Sequence, residues 1–165
     1  MHSDCNCFYA SVELLHHPEL RRKPIAVGGS PESRHGIILT ADYIAKRCGV
    51  KVGMALWEAR QCCPEIVILP PRMDLYLRFS KMANEIYREY TDLVEPFGVD
   101  ESWLDVTESK TIKGDGLRIA QEISTRIKNE LGITVSIGVS FNKIYSKLGS
   151  DYKKPDAITT MYRDE

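Results

Sequence analysis

The sequence predicts an α+β fold in which a ferredoxin-like βαββαβ unit carries an inserted small α/β subdomain. Two long stretches, 74–90 and 115–131, place apolar residues at the spacing of amphipathic helices. The stretch 133–140 alternates apolar residues with threonine, serine and glycine, which is typical of a half-buried strand. When the short elements of residues 15–70 are set aside, the remaining order matches a βαββαβ unit.

The first half of the chain contains short elements. A strand at 2–7 carries Asp4, and a helix at 8–15 stops before Pro18. Strands are then predicted at 24–27, 36–40 and 66–69, and helices at 40–48 and 54–63. We expect Thr40 to cap the first of these two helices. The insertion carries local basic residues and ends at the pair Pro70-Pro71.

The second half contains the longer elements. The apolar stripe of the first long helix predicts its core face: Leu75, Phe79, Met82, Ile86 and Tyr90. A hairpin follows, and the second long helix has its own stripe: Ile119, Ile123, Ile127 and Leu131. A strand at 133–139, a short basic helix at 142–151 and a strand at 157–160 complete the predicted elements.

Composition narrows the class of protein. The 165 residues fit one domain, or a domain with an insertion. With 22 basic and 23 acidic residues, the net charge of −1 predicts no nucleic-acid surface over the whole molecule, so any such surface must be local. No apolar run is long enough for a membrane span, and the polar start predicts no signal peptide.

The five cysteines are odd in number and show no Cys-x-x-Cys pairs. No histidine stands at zinc-ligand spacing from them, so we expect reduced thiols rather than a disulfide or a zinc site. This cysteine pattern and the polar start favour a cytoplasmic protein.

Asp100 and Glu101 interrupt the strand-like run 97–106. Neighbouring side chains of a straight strand point to opposite faces, so the two carboxylates share a target only where the chain turns. Such a pair suits a hard divalent metal, Mg²⁺ or Mn²⁺, but by itself it is explained more simply by a solvated acidic turn. In a βαββαβ sheet the first strand lies beside the hairpin, which allows Asp4 to meet both carboxylates.

Four segments, in this order, resemble motifs of the Y-family (DinB/UmuC-type, translesion) DNA polymerases. They read DCNCFYASVE at 4–13, TADYIAKRCGV at 40–50, VDESWLDV at 99–106 and GVSFNK to SDYKKP at 138–155. The resemblance runs over essentially the whole chain. It implies a palm of residues 1–14 and 71–165 and fingers of residues 15–70, without the thumb and little-finger domains.

The resemblance also implies an activity. It is template-directed DNA synthesis across damaged DNA, with two Mg²⁺ ions (Mn²⁺ as an alternative) assisting nucleotidyl transfer from a dNTP to a primer 3′-hydroxyl. The implied partners are primer-template DNA and dNTP, together with a sliding clamp bound through regions outside this chain. The expected location is the cytoplasm, at the nucleoid when the enzyme acts. As a palm–fingers fragment, the chain alone is expected to bind primer-template poorly and to be weak or inactive.

The implied metal ligands are Asp4, Asp100, Glu101 and the backbone carbonyl of Cys5. The implied nucleotide contacts are Phe8, Tyr9, Thr40, Tyr43, Lys46 and Lys154, with Tyr9 as the steric gate against ribose. Ile37, Leu39 and Gly53 would form the roof over the nascent base pair. The sequence departs from the family where Lys46 replaces a common arginine, since lysine lacks the bidentate guanidinium fork.

Two other functions remain open. A palm-type nucleotide cyclase would share the two-metal chemistry, but would need neither Tyr9 nor the motif around Tyr43. A non-catalytic DNA-repair or interaction module would share only the fold. The retention of Asp4, Asp100 and Glu101 argues against that module, because clustered carboxylates repel one another when they have no cation to bind.

Overall fold

The structure is a computed structural model that describes residues 1–29, 36–109 and 114–162. The strands are β1 (His2–Cys5), β2 (Ile25–Gly28), β3 (Ile38–Ala41), β4 (Val67–Leu69), β5 (Val94–Pro96), β6 (Glu101–Leu104), β7 (Val135–Ser140) and β8 (Ile158–Met161). The helices are α1 (Phe8–His16), α2 (Tyr43–Arg47), α3 (Leu56–Cys62), α4 (Met73–Arg88), α5 (Gly116–Arg126) and α6 (Lys143–Tyr152). No helix of the described residues has the length and apolar character to cross a membrane.

The chain divides into two compact units. One comprises Met1–Asn6 and Leu77–Glu165, and the other comprises Cys7–Tyr76. The second unit thus includes α1 and the first turn of α4, which the predicted boundaries assign to the palm. The names palm and fingers, with those boundaries, stay predictions.

The first unit contains a five-stranded sheet in the order β5-β6-β1-β7-β8. The strand β1 is central and pairs antiparallel with both β6 and β7, while β8 runs parallel to β7 at the edge. The order of β5, β6, β1 and β7 is that of a ferredoxin-like sheet, with β8 added. The predicted α+β fold class is confirmed.

The helix α4 lies on one face of this sheet and is fixed there by polar contacts. The Tyr87 hydroxyl is 2.9 Å from Ser3 Oγ, and the Ser102 hydroxyl donates to Asn84 Oδ1 at 2.8 Å. Because strand side chains alternate, Ser3 facing α4 sends the side chain of Asp4 to the opposite face.

The buried face of α4 differs from the predicted stripe. Tyr76 and Tyr87 are fully buried, whereas Leu75, Phe79 and Met82 are only partly buried. The stripe is confirmed at Ile86 and Tyr90, which are buried, but it left out Tyr76 and Tyr87. A tyrosine whose hydroxyl has a partner is buried at little cost. The second predicted stripe is confirmed at Ile119 and Ile123 of α5 and at Ile127, all fully buried, whereas Leu131 is only partly buried. Ile127 and Leu131 lie in a π-helical turn, Ile127–Leu131, that follows α5.

The helix α6 lies directly on β7. A methyl group on Gly138 would be 1.8 Å from the backbone oxygen of Ser146 and 2.6 Å from the backbone nitrogen of Ser150. Only a residue without Cβ permits this approach. The helix begins where the Asn142 side chain accepts a hydrogen bond from the Tyr145 N–H at 2.9 Å.

The second unit contains a three-stranded sheet in the order β3-β2-β4, with β2 antiparallel to β3 and parallel to β4. The predicted cap of α2 is wrong. Thr40 lies within β3, and Asp42 caps the helix by accepting from the Ala45 N–H at 2.8 Å. Asp42 also accepts from the Ile25 N–H of β2 at 3.2 Å, so the strand runs on to Ala41 and the helix starts later.

An ion pair between the buried Glu13 and the exposed Arg72 joins α1 to the residue that precedes α4 in the second unit. The Glu13 carboxylate accepts from Arg72 Nε at 3.0 Å, from Arg72 Nη2 at 2.6 Å and from the Tyr76 hydroxyl at 2.7 Å. Burial alone raises the pKa of Glu13, but the hydrogen bonds from Arg72 and Tyr76 outweigh it and hold the pKa below its ordinary value.

Glu13→Gln is expected to lower the free energy of unfolding by about 2 kcal/mol at neutral pH, because it leaves Arg72 without its carboxylate. Since the folded pKa of Glu13 is depressed, its stabilisation is complete above the ordinary value of 4.5 and is lost as the pH falls through the folded pKa. Urea unfolding across this range should show the difference from wild type shrinking toward low pH. The exposed Glu85→Gln is the control, and a pH-independent difference for Glu13→Gln would contradict the ion pair.

Gly138→Ala is expected to destabilise the chain by at least about 3 kcal/mol, because its methyl group collides with the backbone of α6. The matched control is Gly116→Ala, whose methyl group would lie 2.9 Å from Cγ1 of Val139, a side-chain atom that has more freedom to shift. Thermal unfolding measures both. Equal losses of stability in the two variants would show that the close approach of α6 to β7 does not require glycine at position 138.

Candidate metal and nucleotide site

Asp4 and Glu101 lie directly opposite one another on the adjacent strands β1 and β6. Opposed residues of an antiparallel pair project from the same face, so both carboxylates lie on the face away from α4. Asp4 therefore lies on the same face of the sheet as Glu101, as a joint role in metal binding requires.

The hairpin predicted for Asp100 and Glu101 is confirmed. Between β5 and β6 the chain turns at residues 97–100, with a positive φ of 79° at Gly98. The Phe97 N–H donates to the backbone carbonyl oxygen of Glu101 at 2.8 Å. The Cys5 N–H donates to the backbone carbonyl oxygen of Asp100 at 2.9 Å. The backbone therefore holds Asp100 at the end of β1, one residue beyond Asp4.

Two lysines bind the carboxylates. Lys147 Nζ is 2.5 Å from Glu101 Oε1 and 3.4 Å from Asp4 Oδ2. Lys154 Nζ is 2.5 Å from Asp4 Oδ2. Both ammonium groups also contact Asp151, Lys154 at 2.7 Å and Lys147 at 3.7 Å. Lys147 and Asp151 lie on α6, and the predicted nucleotide contact Lys154 follows that helix.

The electrostatics of the carboxylates favour an added cation. Burial raises the pKa of Asp4, and the attraction of Lys154 does not fully offset it. Burial also raises the pKa of Asp100, and the negative charges of Asp4 and Glu101 raise it further. Each raised pKa means that the ionised carboxylate is disfavoured where it stands, and a nearby positive charge would relieve this.

His2 is a buried neighbour of the site. Its Nδ1 lies 2.7 Å from Ser150 Oγ, while its Nε2 is 3.5 Å from Glu101 Oε2 without hydrogen-bond geometry. Burial first and the charge of Lys147 second lower the pKa of His2 to about 4. The ring is therefore neutral at neutral pH and fills space beside the carboxylates without adding charge.

The residues fit the metal in their chemistry. Asp4, Asp100 and Glu101 offer only oxygen donors, as Mg²⁺ and Mn²⁺ prefer. Within the described ranges, no three histidine, cysteine, aspartate or glutamate side chains are arranged to hold a metal ion as they stand. Coordination by all three carboxylates and by the Cys5 carbonyl therefore stays a prediction.

The predicted sugar contacts lie in the second unit, at the start of α1. Phe8 is buried, and its ring centroid is 5.8 Å from that of Tyr9. The Tyr9 ring is partly buried and stacks on Tyr76, with a centroid distance of 4.3 Å and an interplanar angle of 13°. A stacked ring of this kind is held in one orientation.

The other predicted nucleotide contacts also lie in the second unit. Tyr43 and Lys46 are on α2, with Lys46 Nζ 5.0 Å from the Tyr43 ring centroid, and Thr40 is in β3. The predicted roof is made of exposed positions. Ile37 and Leu39 are 46% and 37% exposed, and Gly53, at a φ of 84°, has no atom within 4 Å of an ideal Cβ.

Lys147, Asp151 and His2 are the site neighbours that the sequence predictions missed. The sequence predicted only a short basic helix at 142–151 around Lys147. A signal was present, because Lys147 and Asp151 lie one helical turn apart on a predicted helix and Lys154 lies three residues later. The contacts of Lys147 and Lys154 with Asp4, which lies 143 and 150 residues earlier in the chain, are not encoded in local spacing.

Sequence comparison defines the class to which this fold and carboxylate arrangement correspond. Residues 3–151 match the IMS family, described as the impB/mucB/samB family. The chain belongs to this family.

Curated relatives match over the whole chain. It is 57% identical over 165 residues to the DNA polymerase IV of Acetivibrio thermocellus, covering 41% of that protein. It is 46% identical over 165 residues to the DNA polymerase IV of Pseudomonas syringae pv. syringae, covering 46% of it. The chain thus spans less than half the length of these relatives.

Solved structures agree. The chain is similar to an insertion ternary complex of Dbh DNA polymerase, with a TM-score of 0.92 and 32% identity over 99% of this chain and 48% of that one. It is also similar to DinB from Sulfolobus solfataricus, with a TM-score of 0.91 and 33% identity over the same shares.

Proposed function

We propose that this chain is the catalytic part of a DNA polymerase that copies damaged templates, transferring a nucleotide from a dNTP to a primer 3′-hydroxyl. The observation that carries the proposal is the opposition of Asp4 and Glu101 across β1 and β6, beside the turn that holds Asp100. The DNA polymerase IV relatives and the ternary complex of Dbh DNA polymerase support it.

Asp4, Asp100, Glu101 and the Cys5 carbonyl would hold two Mg²⁺ ions, with Mn²⁺ as a substitute. When bound, the ions would lower the pKa of the primer hydroxyl and neutralise charge on the departing pyrophosphate. The backbone hydrogen bond from Cys5 to Asp100 keeps the acidic turn in register with β1, so the carboxylates need little reorganisation before they act.

The remaining residues would hold the nucleotide. Lys154 and Lys46 offer ammonium groups to the triphosphate, and Tyr43 and Thr40 offer hydroxyls. Lys46 provides a point charge where the family resemblance implies an arginine fork, so its triphosphate contact is expected to be less directional.

The sugar and base would meet apolar surfaces. The Tyr9 ring, held by Tyr76 and backed by the buried Phe8, would form the wall that excludes a ribose 2′-hydroxyl. Ile37 and Leu39, with Gly53 nearby, would cover the nascent base pair.

Primer-template DNA and dNTP are the proposed partners. A sliding clamp is proposed to bind outside these residues, and the proposed location is the cytoplasm.

Asp100→Asn and Glu101→Gln are each expected to reduce Mg²⁺-dependent primer extension at least about 10³-fold, because each removes an ionised ligand from the site of charge development. The measurement uses the full-length protein that carries this chain. Glu95→Gln is the matched control, because Glu95 is exposed on the same hairpin and pairs with Lys143 rather than with the site lysines. Undiminished extension by Asp100→Asn would refute the proposed function.

Tyr9→Ala is expected to raise ribonucleotide incorporation at least about tenfold relative to deoxyribonucleotide incorporation, because the wall that opposes the 2′-hydroxyl is removed. Tyr9→Phe keeps the ring and should keep the discrimination. Single-nucleotide insertion kinetics with matched rNTP and dNTP measure both variants. If alanine and phenylalanine at position 9 discriminate equally well, the steric-gate role is wrong.

A further inference from the structure

The two site lysines have a second carboxylate partner outside the predicted metal ligands. Lys147 contacts Glu101, Asp4 and Asp151, and Lys154 contacts Asp4 and Asp151. Asp151 is about half exposed and lies on α6 with Lys147, whereas Asp4 and Glu101 lie on the sheet. Each ammonium group therefore bridges the sheet carboxylates and a carboxylate on the helix.

We propose that Lys147 is a built-in counter-cation that competes with the divalent metal for Asp4 and Glu101, and that Asp151 receives its ammonium group when the metal binds. This inference rests on the proposed metal site. It means that the affinity of the site for the metal depends on residues of α6 as well as on the carboxylates of the sheet.

Competition follows from the geometry. The Lys147 ammonium stands 2.5 Å from Glu101 Oε1, and Mg²⁺ needs carboxylate oxygens at about 2.0–2.1 Å. A divalent cation bound to Glu101 and Asp4 would lie within a few ångströms of that ammonium and repel it. One positive charge must leave for the other to bind closely.

Asp151 provides the place to which the ammonium can move. Lys147 and Asp151 are four residues apart on one helix, so their side chains meet on the same surface. The present separation of 3.7 Å can shorten by rotation of the lysine side chain alone. The backbone does not need to move, and the contact of Gly138 with Ser146 holds α6 in place during the exchange.

Lys147 suits this role better than Lys154. Lys147 is the lysine that touches both opposed carboxylates, whereas Lys154 touches Asp4 and already has a close bond to Asp151. Release of Lys147 therefore clears two ligands at once.

The test measures Mn²⁺ binding to the 165-residue chain by electron paramagnetic resonance, without substrate. Lys147→Gln is expected to bind Mn²⁺ about tenfold more tightly than wild type, and Asp151→Asn about threefold more weakly. Lys143→Gln is the matched control, one turn earlier on α6 and paired with Glu95, and should leave binding unchanged.

A double-mutant cycle separates exchange from a general effect of charge. If Asp151 acts by receiving the Lys147 ammonium, Asp151→Asn should lose most of its effect in the Lys147→Gln background. Additive effects would overturn the role of Asp151. Unchanged binding by Lys147→Gln, with wild-type binding abolished by Asp100→Asn, would overturn the competition while leaving the proposed metal site intact.

Failure of the metal site itself gives a different result. In that case neither the wild-type chain nor Lys147→Gln would bind Mn²⁺, or Asp100→Asn would bind Mn²⁺ as tightly as the wild-type chain. Either result would overturn both proposals. Mg²⁺ titration of the unsubstituted chain, followed by the side-chain ¹⁵N signals of its lysines, removes dependence on any variant folding. The Lys147 signal should shift and the Lys143 signal should not, and a silent Lys147 would overturn the competition.

Discussion

The contact between the helix α6 and the strand β7 is the constraint on which the candidate site depends. A methyl group at Gly138 would be 1.8 Å from the Ser146 backbone oxygen, so the backbone of α6 packs directly against the backbone of β7. That approach brings Lys147 within 2.5 Å of Glu101 and Ser150 within 2.7 Å of His2. The position of the lysines that bind the carboxylates therefore depends on Gly138, a residue without a side chain that takes no part in the site itself.

The acidic face of the sheet opposes folding as well as serving the proposed reaction. Asp4 and Asp100 have raised pKa values chiefly because they are buried, and their mutual repulsion adds to the effect for Asp100. Carboxylates placed this way reduce stability, which is common where a site is organised for a ligand rather than for packing. The ammonium groups of Lys147 and Lys154 offset part of that cost.

Much of the fold was predictable, because its signals are local. The strand β7 and the apolar stripe of α5 follow from the periods of strands and helices, and the element order implied the sheet. The prediction that this strand is half-buried is wrong, because β7 is buried on both faces from Val135 to Val139. The failures share a cause. The buried position of Tyr76 and the capping role of Asp42 were missed because they depend on partners, Glu13 and Ile25, that are brought near only by folding. For the site, the motifs marked Asp4, Asp100 and Glu101, whereas the Lys147 and Asp151 contacts required the packing of α6.

The stacking of Tyr9 on Tyr76 has an evolutionary consequence. The Tyr76 hydroxyl donates to the buried Glu13, which also binds Arg72. The orientation of the Tyr9 ring therefore depends, through Tyr76, on the ion pair between Glu13 and Arg72. Given the steric-gate role proposed for Tyr9, drift at position 13, 72 or 76 would alter sugar discrimination without changing Tyr9 itself. Selection on sugar discrimination is therefore expected to make these positions covary, and a laboratory search for altered sugar preference should sample them together with position 9.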